Sequence, residues 1–194
     1  MISVGDHAQN LRELCYRTVN CDITEDMKTL YLLRHAKSSW KDENLLDIER
    51  PLNRRGRKAC EIVGGFLKKE KIIPDLVLSS SAVRARQTAE IVIESAKLST
   101  ELRFDERIYE AGPNRLLDVV RQIEKSKKSV LLVGHNPGLE EFLDLLTGTT
   151  ESMPTGTISK VVLSASNWAG TGDQGGTLEW ILKPKHSQNV RVRG

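Results

Sequence analysis

Cysteine, aromatic residues and long apolar runs are all scarce in this 194-residue sequence. Cys15, Cys21 and Cys60 contain no CxxC pair, which excludes a disulfide scaffold and a cysteine-rich zinc site and predicts a reducing, cytoplasmic setting. The longest unbroken aliphatic run is Val130–Val133, far short of the roughly 20 residues a membrane-spanning helix needs. Aromatics make up 5% and do not interleave with basic residues, so a nucleic-acid surface has little support. There is no GxxxxGK[ST] segment, which excludes a P-loop nucleotide enzyme. No charged-then-apolar leader with a small-residue cleavage site is present, so no secretory signal is expected. Asp6, Glu13, Asp22, Glu25 and Asp26 make the first stretch too acidic for a transit peptide.

The formal net charge is +3, but Lys183, Lys185, Arg191 and Arg193 lie in a terminal stretch without acids. Setting those four aside leaves −1 for residues 1–182. The expected organisation is an extension over residues 1–26, loosely docked or disordered, a single domain over 27–182, and a disordered basic tail over 183–194.

Within 27–182 the pattern is regular. Short apolar runs at Thr29–Leu33, Leu76–Leu78 and Val130–Val133 predict buried strands, with a further short strand at Leu102–Phe104. Helical spacing connects Ala59 to Leu67, Ala82 to Ala96, Leu116 to Ile123 and Leu139 to Leu146. Two late strands, Ile158–Leu163 and Thr177–Leu182, flank a Gly-rich loop. That loop, Gly170 to Gly175, matches GxGxxG but precedes a strand instead of opening a helix, so it reads as mobile rather than as a dinucleotide site. Alternating strands and amphipathic helices predict an α/β fold, a three-layer αβα sandwich with a mainly parallel central sheet. Ligands bind such sheets outside the carboxyl ends of the strands. Three of those ends carry polar groups: Arg34-His35, Ser79 to Arg84, and His135-Asn136.

Either histidine alone could be a structural residue. Together with Arg34 and Arg84 they suggest phosphoryl chemistry, because a guanidinium fork matches two phosphate oxygens and a neutral imidazole nitrogen is a nucleophile. A metal site is the rival reading, with Asp47 and Glu49 as carboxylate ligands, but fixed positive charge at Arg34 disfavours a cation. The Ser79-Ser80-Ser81 run is placed to cap the following helix. Glu110 is either solvated surface or a general acid over the site.

These residues resemble the histidine phosphatase superfamily, also called phosphoglycerate-mutase-like. Leu32 to Trp40 carries an Arg-His-Ala signature. Asp47 to Gly56 resembles a DxxRPLxxxG stretch, Ser80 to Ala89 a second arginine motif, and Gly134 to Pro137 a second histidine motif. The Arg34-His35-Ala36-Lys37 start and the short span between Arg84 and His135 look most like the SixA-type phosphohistidine phosphatase branch, which lacks a large lid. The resemblance implies a phosphoglycerate mutase-like fold and a metal-independent, cofactor-free phosphatase acting on a phosphoprotein or a small phosphoester. His35 would be the nucleophile, with Arg34, Arg84 and His135 holding the phosphoryl oxygens. Glu110 is the candidate acid, and Ser38, Ser80, Asn136 and Thr155 are candidate substrate contacts. Remaining alternatives are a small-molecule phosphomonoesterase or mutase, a phosphate- or phosphoprotein-binding module, and a nucleic-acid binder acting through the tail. The sequence leaves the oligomeric state open.

Overall fold

Apolar residues alternate between both faces of the central strands, so each strand feeds two cores. Leu30 and Leu32 of strand β1 (Lys28–Arg34) face one helical layer while Tyr31 and Leu33 face the other. Strand β4 (Ser129–Gly134) repeats this, with Val130 and Leu132 on one side and Leu131 and Val133 on the other. Strands buried on both faces lie in the middle of a sheet covered by helices. The computed structural model describes residues 27–184 and 190–192. The expected N-terminal extension, 1–26, lies outside the described residues.

The sheet has seven strands in the order β3-β2-β4-β1-β5-β6-β7. Strands β2 (Leu76–Ser80), β3 (Glu101–Asp105), β4 and β1 pair in parallel. Strands β5 (Ile158–Leu163), β6 (Gly176–Leu182) and β7 (Val190–Val192) continue from β1 in antiparallel pairs. The expected mainly parallel sheet is therefore a mixed one, parallel on the β3 side and antiparallel on the other. Val190–Val192, in the segment expected to be a disordered tail, pairs with the edge of β6.

Helices α1 (Arg54–Lys69) and α2 (Val83–Ala96) cover one face. Helices α3 (Pro113–Arg121) and α4 (Gly138–Thr147) cover the other. Helix α1 begins five residues before its apolar stripe, because Asn53 caps it by accepting from the Gly56 N–H at 2.8 Å. A charged first turn carries no apolar period, so spacing alone misses it. The Gly-rich loop is docked: Trp168 is fully buried and its indole N–H donates to the Lys127 carbonyl at 2.8 Å. Burying a side chain that size is worth several kcal/mol (about 2–3), enough to fix a loop that looks flexible by composition. Among the described residues no helix is long and apolar enough to cross a membrane.

Candidate active site

The strand order decides which polar ends meet. In the sheet β4 lies between β2 and β1, with Arg34 opposite Gly134 in register. The turn after β1 then stands beside the turn after β4, and the His35 N–H donates to the Gly134 carbonyl at 3.0 Å. The two imidazole rings lie 4.9 Å apart, centre to centre, at 51°. Arg84 enters from the first turn of α2, which follows β2. Arg34, His35, Arg84 and His135, separated by up to 101 positions in the sequence, are thereby gathered at one end of the sheet.

Each histidine has one ring nitrogen committed. The His35 Nδ1–H donates to the Ala36 carbonyl at 2.8 Å, since a carbonyl can only accept. The proton is thus on Nδ1, and Nε2 carries a free lone pair. His135 Nε2 lies 2.8 Å from the Ser80 hydroxyl, which also accepts from the Ala82 N–H at 3.3 Å. A serine hydroxyl has one proton and two lone pairs, so while holding the Ala82 N–H it can still donate to His135 Nε2, an arrangement that would leave the ring proton on Nδ1. That Nδ1 is buried and has no hydrogen-bond partner among the described residues. Burial pushes the His35 pKa down to about 4, with the Arg84 and Arg34 charges adding to it and the Ala36 carbonyl opposing. Burial likewise pushes His135 down to about 3, helped by the charges of His35 and Arg84. Both rings are neutral at neutral pH.

The arginines are held as firmly. Arg34 donates from Nη1 to the Met153 carbonyl at 2.8 Å, and burial lowers its pKa. Arg84, 7% exposed, donates from Nη1 to the Asp47 carbonyl and from Nη2 to Asp47 Oδ2 at 2.7 Å. The same carboxylate accepts from Arg50 Nη1 at 2.6 Å and from the Tyr109 hydroxyl at 3.0 Å. Those hydrogen bonds and the Arg84 charge hold Asp47 below the usual carboxylate range, against the opposing effect of its desolvation. Tyr109 was not among the expected functional residues, and Asp47 was expected only as a ligand in the rival metal reading. The DxxR spacing does carry a signal, since it places Asp47 and Arg50 three residues apart on a single turn.

A cavity of about 470 Å³ opens beside the histidines, walled by Asp47, Arg84, Glu110, His135, Asn136 and the start of α4. Glu110 is therefore brought to it, on a left-handed backbone (φ 52°). Gly138 is required there, because a Cβ would come within 1.9 Å of the Ala111 carbonyl oxygen. Asn136 lines the cavity and donates to the Met153 carbonyl at 3.2 Å. The other expected contacts have different partners. The Ser80 hydroxyl is fully buried against His135 and does not cap α2, which has no side-chain cap. Ser38 accepts from Arg50 Nη2 at 2.9 Å. Thr155 lines a separate cavity, although the next N–H, that of Gly156, donates to the Arg34 and His35 carbonyls at 3.1 and 3.2 Å. Asp47, considered as a metal ligand, is engaged by two guanidinium groups instead.

An open mixed sheet with two histidines and two arginines gathered at the carboxyl ends of its parallel strands is an architecture suited to handling phosphoryl groups. The family model of the histidine phosphatase superfamily (branch 1) matches residues 30–114, and the chain belongs to this superfamily. An uncharacterised protein of Mycobacterium tuberculosis is 32% identical over 148 residues, covering 71% of this chain and 90% of its own. A structure named for the phosphohistidine phosphatase SixA of Agrobacterium tumefaciens is 29% identical, with a TM-score of 0.70 over 81% of this chain and 98% of that one. A protein histidine phosphatase SixA complexed with tungstate shares the fold at 23% identity and a TM-score of 0.67, again over 81% and 98% of the two chains.

Proposed function

We propose that the protein is a metal-independent phosphatase that removes phosphoryl groups from phosphohistidine in proteins, through a phosphohistidine on His35. The observation that carries this is the His35 ring: its Nδ1–H is fixed on the Ala36 carbonyl, its Nε2 is unprotonated, and two guanidinium groups flank it. A nucleophile needs a free lone pair at working pH, and a phosphoryl group needs fixed positive charge around its oxygens.

The substrate phosphorus sits in front of His35 Nε2, its oxygens held by Arg34, Arg84 and the Nδ1–H of His135. The His35 lone pair forms the new N–P bond in line as the bond to the leaving nitrogen breaks. That nitrogen departs with the bonding pair and takes a proton from solvent water. Water then attacks the phosphorus and releases His35 and phosphate. Ser80 acts through His135 by fixing its tautomer, and Asp47 acts through Arg84 by fixing its guanidinium. The span between α2 and β4 holds only β3, a short turn and α3. That leaves the cavity uncovered and suits a substrate displayed on another protein.

Turnover of a phosphohistidine peptide beside phosphoglycerate and aryl phosphates tests the reading, with the peptide expected to be hydrolysed fastest. His35→Ala should abolish turnover and acid-labile enzyme phosphorylation. His135→Ala should keep slow turnover, reduced about 10²–10³-fold, the usual cost of one oxyanion donor. Faster hydrolysis of phosphomonoesters, or a phosphoryl group found on His135, overturns it.

A further inference from the structure

A second cavity, of about 260 Å³, lies beside Lys37 and plays no part in the chemistry above. Its wall is formed by Lys37, Arg55, Lys58, Ala59, Ile62, Thr155 and Pro184. Three of these are cations and none is an acid. Lys58 pairs with the exposed Glu61 at 2.8 Å, while Lys37 and Arg55 have no ion-pair partner among the described residues. The first turn of α1 adds Arg54 and Arg57 and contains no acid, although a helix start carries positive potential that acids normally offset. Positive charge is thus concentrated on a chain that is otherwise near neutral.

The pocket is tied to the catalytic turn. Lys37 follows His35 by two residues, so their Cα atoms are within about 7.6 Å. The Lys37 carbonyl accepts from the Asn53 N–H at 3.0 Å, and Gly56 packs so close that a Cβ would come within 2.2 Å of that oxygen. Thr155, also on the wall, precedes the N–H that holds the Arg34 and His35 carbonyls. The two cavities also differ in sign at their rims. Glu110 and Glu141 border the phosphoryl cavity, whereas cations with an apolar floor of Ala59, Ile62 and Pro184 border this one. A carboxylate on a short aliphatic stem matches that combination.

We infer that this pocket docks an acidic side chain of the substrate protein, a Glu or Asp lying roughly two to four residues from the phosphohistidine at about 3.3 Å per extended residue. The inference deepens the proposed function and rests on it for the identity of the substrate. It also gives a place to Thr155, which the sequence singles out and the phosphoryl cavity does not use.

The test has two arms. In the first, fluorescence polarisation follows a labelled, unphosphorylated peptide rich in glutamate and its glutamine counterpart. The glutamate peptide should bind, weaken steeply toward about 0.5 M salt, and lose about 10-fold in affinity with Lys37→Ala/Arg55→Ala, as expected for two exposed charge contacts. Lys37→Met/Arg55→Met keeps the aliphatic stems and serves if the alanine variant does not fold. In the second arm, the preference for an acidic over a neutral phosphohistidine peptide should disappear in the variant through KM and not kcat. Equal binding of both peptides, or unchanged affinity in the variants, overturns the inference. So does a KM effect confined to small molecules bearing a second phosphate. Charge-dependent peptide binding without phosphohistidine turnover would keep the pocket and discard the reaction.

Discussion

Two buried neutral histidines make stability depend on pH in a window that carboxylates do not share. Burial holds His35 near 4 and His135 near 3, whereas an unfolded histidine titrates near 6.5. As pH falls from 6.5 toward 4 the unfolded chain takes up protons that the folded chain refuses. Stability contributed by these rings is therefore complete above 6.5 and is lost on acidification. Between about pH 8 and pH 5 each ring accounts for about 2 kcal/mol, and the pair for at most about 4, because the two rings interact. Asp47 and Asp75 are also held low, but their unfolded values lie near 4, so their loss falls below about pH 5. Urea melts at pH 8, 6.5 and 5 should thus show a small fall to pH 6.5 and most of the loss between pH 6.5 and 5, together equivalent to about 10 °C in Tm for a chain of this size. His35→Gln and His135→Gln should each remove about half of the slope. His7 and His186 lie outside the described residues and are replaced by Gln in every protein compared. A flat profile down to pH 5, or an unchanged slope in the His35→Gln/His135→Gln double variant, would refute the assignment of both rings as buried and neutral.

Activity should survive EDTA and be inhibited by vanadate or sulfate, because the site attracts anions; loss with EDTA that a divalent ion restores would contradict this. Glu110→Gln should lower phosphomonoester turnover by roughly 10²–10⁴-fold and phosphohistidine turnover far less, as read from kcat on both substrates. Asp47→Asn should lower kcat/KM about 10–100-fold by loosening Arg84, with partial rescue in Asp47→Glu; a gain of activity would show instead that Asp47 competes with the phosphoryl group for Arg84.

Much of the domain was legible because its strands and helices carry opposite hydrophobic periods. β5 begins and ends where the alternation does. What spacing could not reveal was strand direction on the far side of β1, since a buried strand reads the same in either orientation. Nor could it reveal the order that inserts β4 between β1 and β2, and it is this order that brings His135 to His35. The Arg-His and Gly-His-Asn-Pro segments stood out as candidate chemistry because both lie at strand ends and both match motifs of the resemblance. Ser80 and Thr155 were recognised as special residues without their partners, and partners are set by tertiary structure.

Asp47 shows why that gap falls where it does. In the sequence it is one acid in a charged loop, part of the DxxRPLxxxG stretch and a ligand only in the disfavoured metal reading. Folding places it against two guanidinium groups, those of Arg84 and Arg50, which are 7% and 6% exposed. A buried cation without a counter-charge is strongly destabilising, so the role proposed for Arg84 needs its guanidinium already paired in the folded protein. The partner must also leave N–H groups free for that ligand. Asp47 meets both needs: it takes one N–H from each Arg84 Nη and leaves the remaining guanidinium donors available. Its lowered pKa keeps the pairing intact through the pH range in which His35 remains unprotonated. The carboxylate that sequence spacing leaves ambiguous is thus the group that, in the proposed function, would hold the Arg84 guanidinium in place for a phosphoryl group.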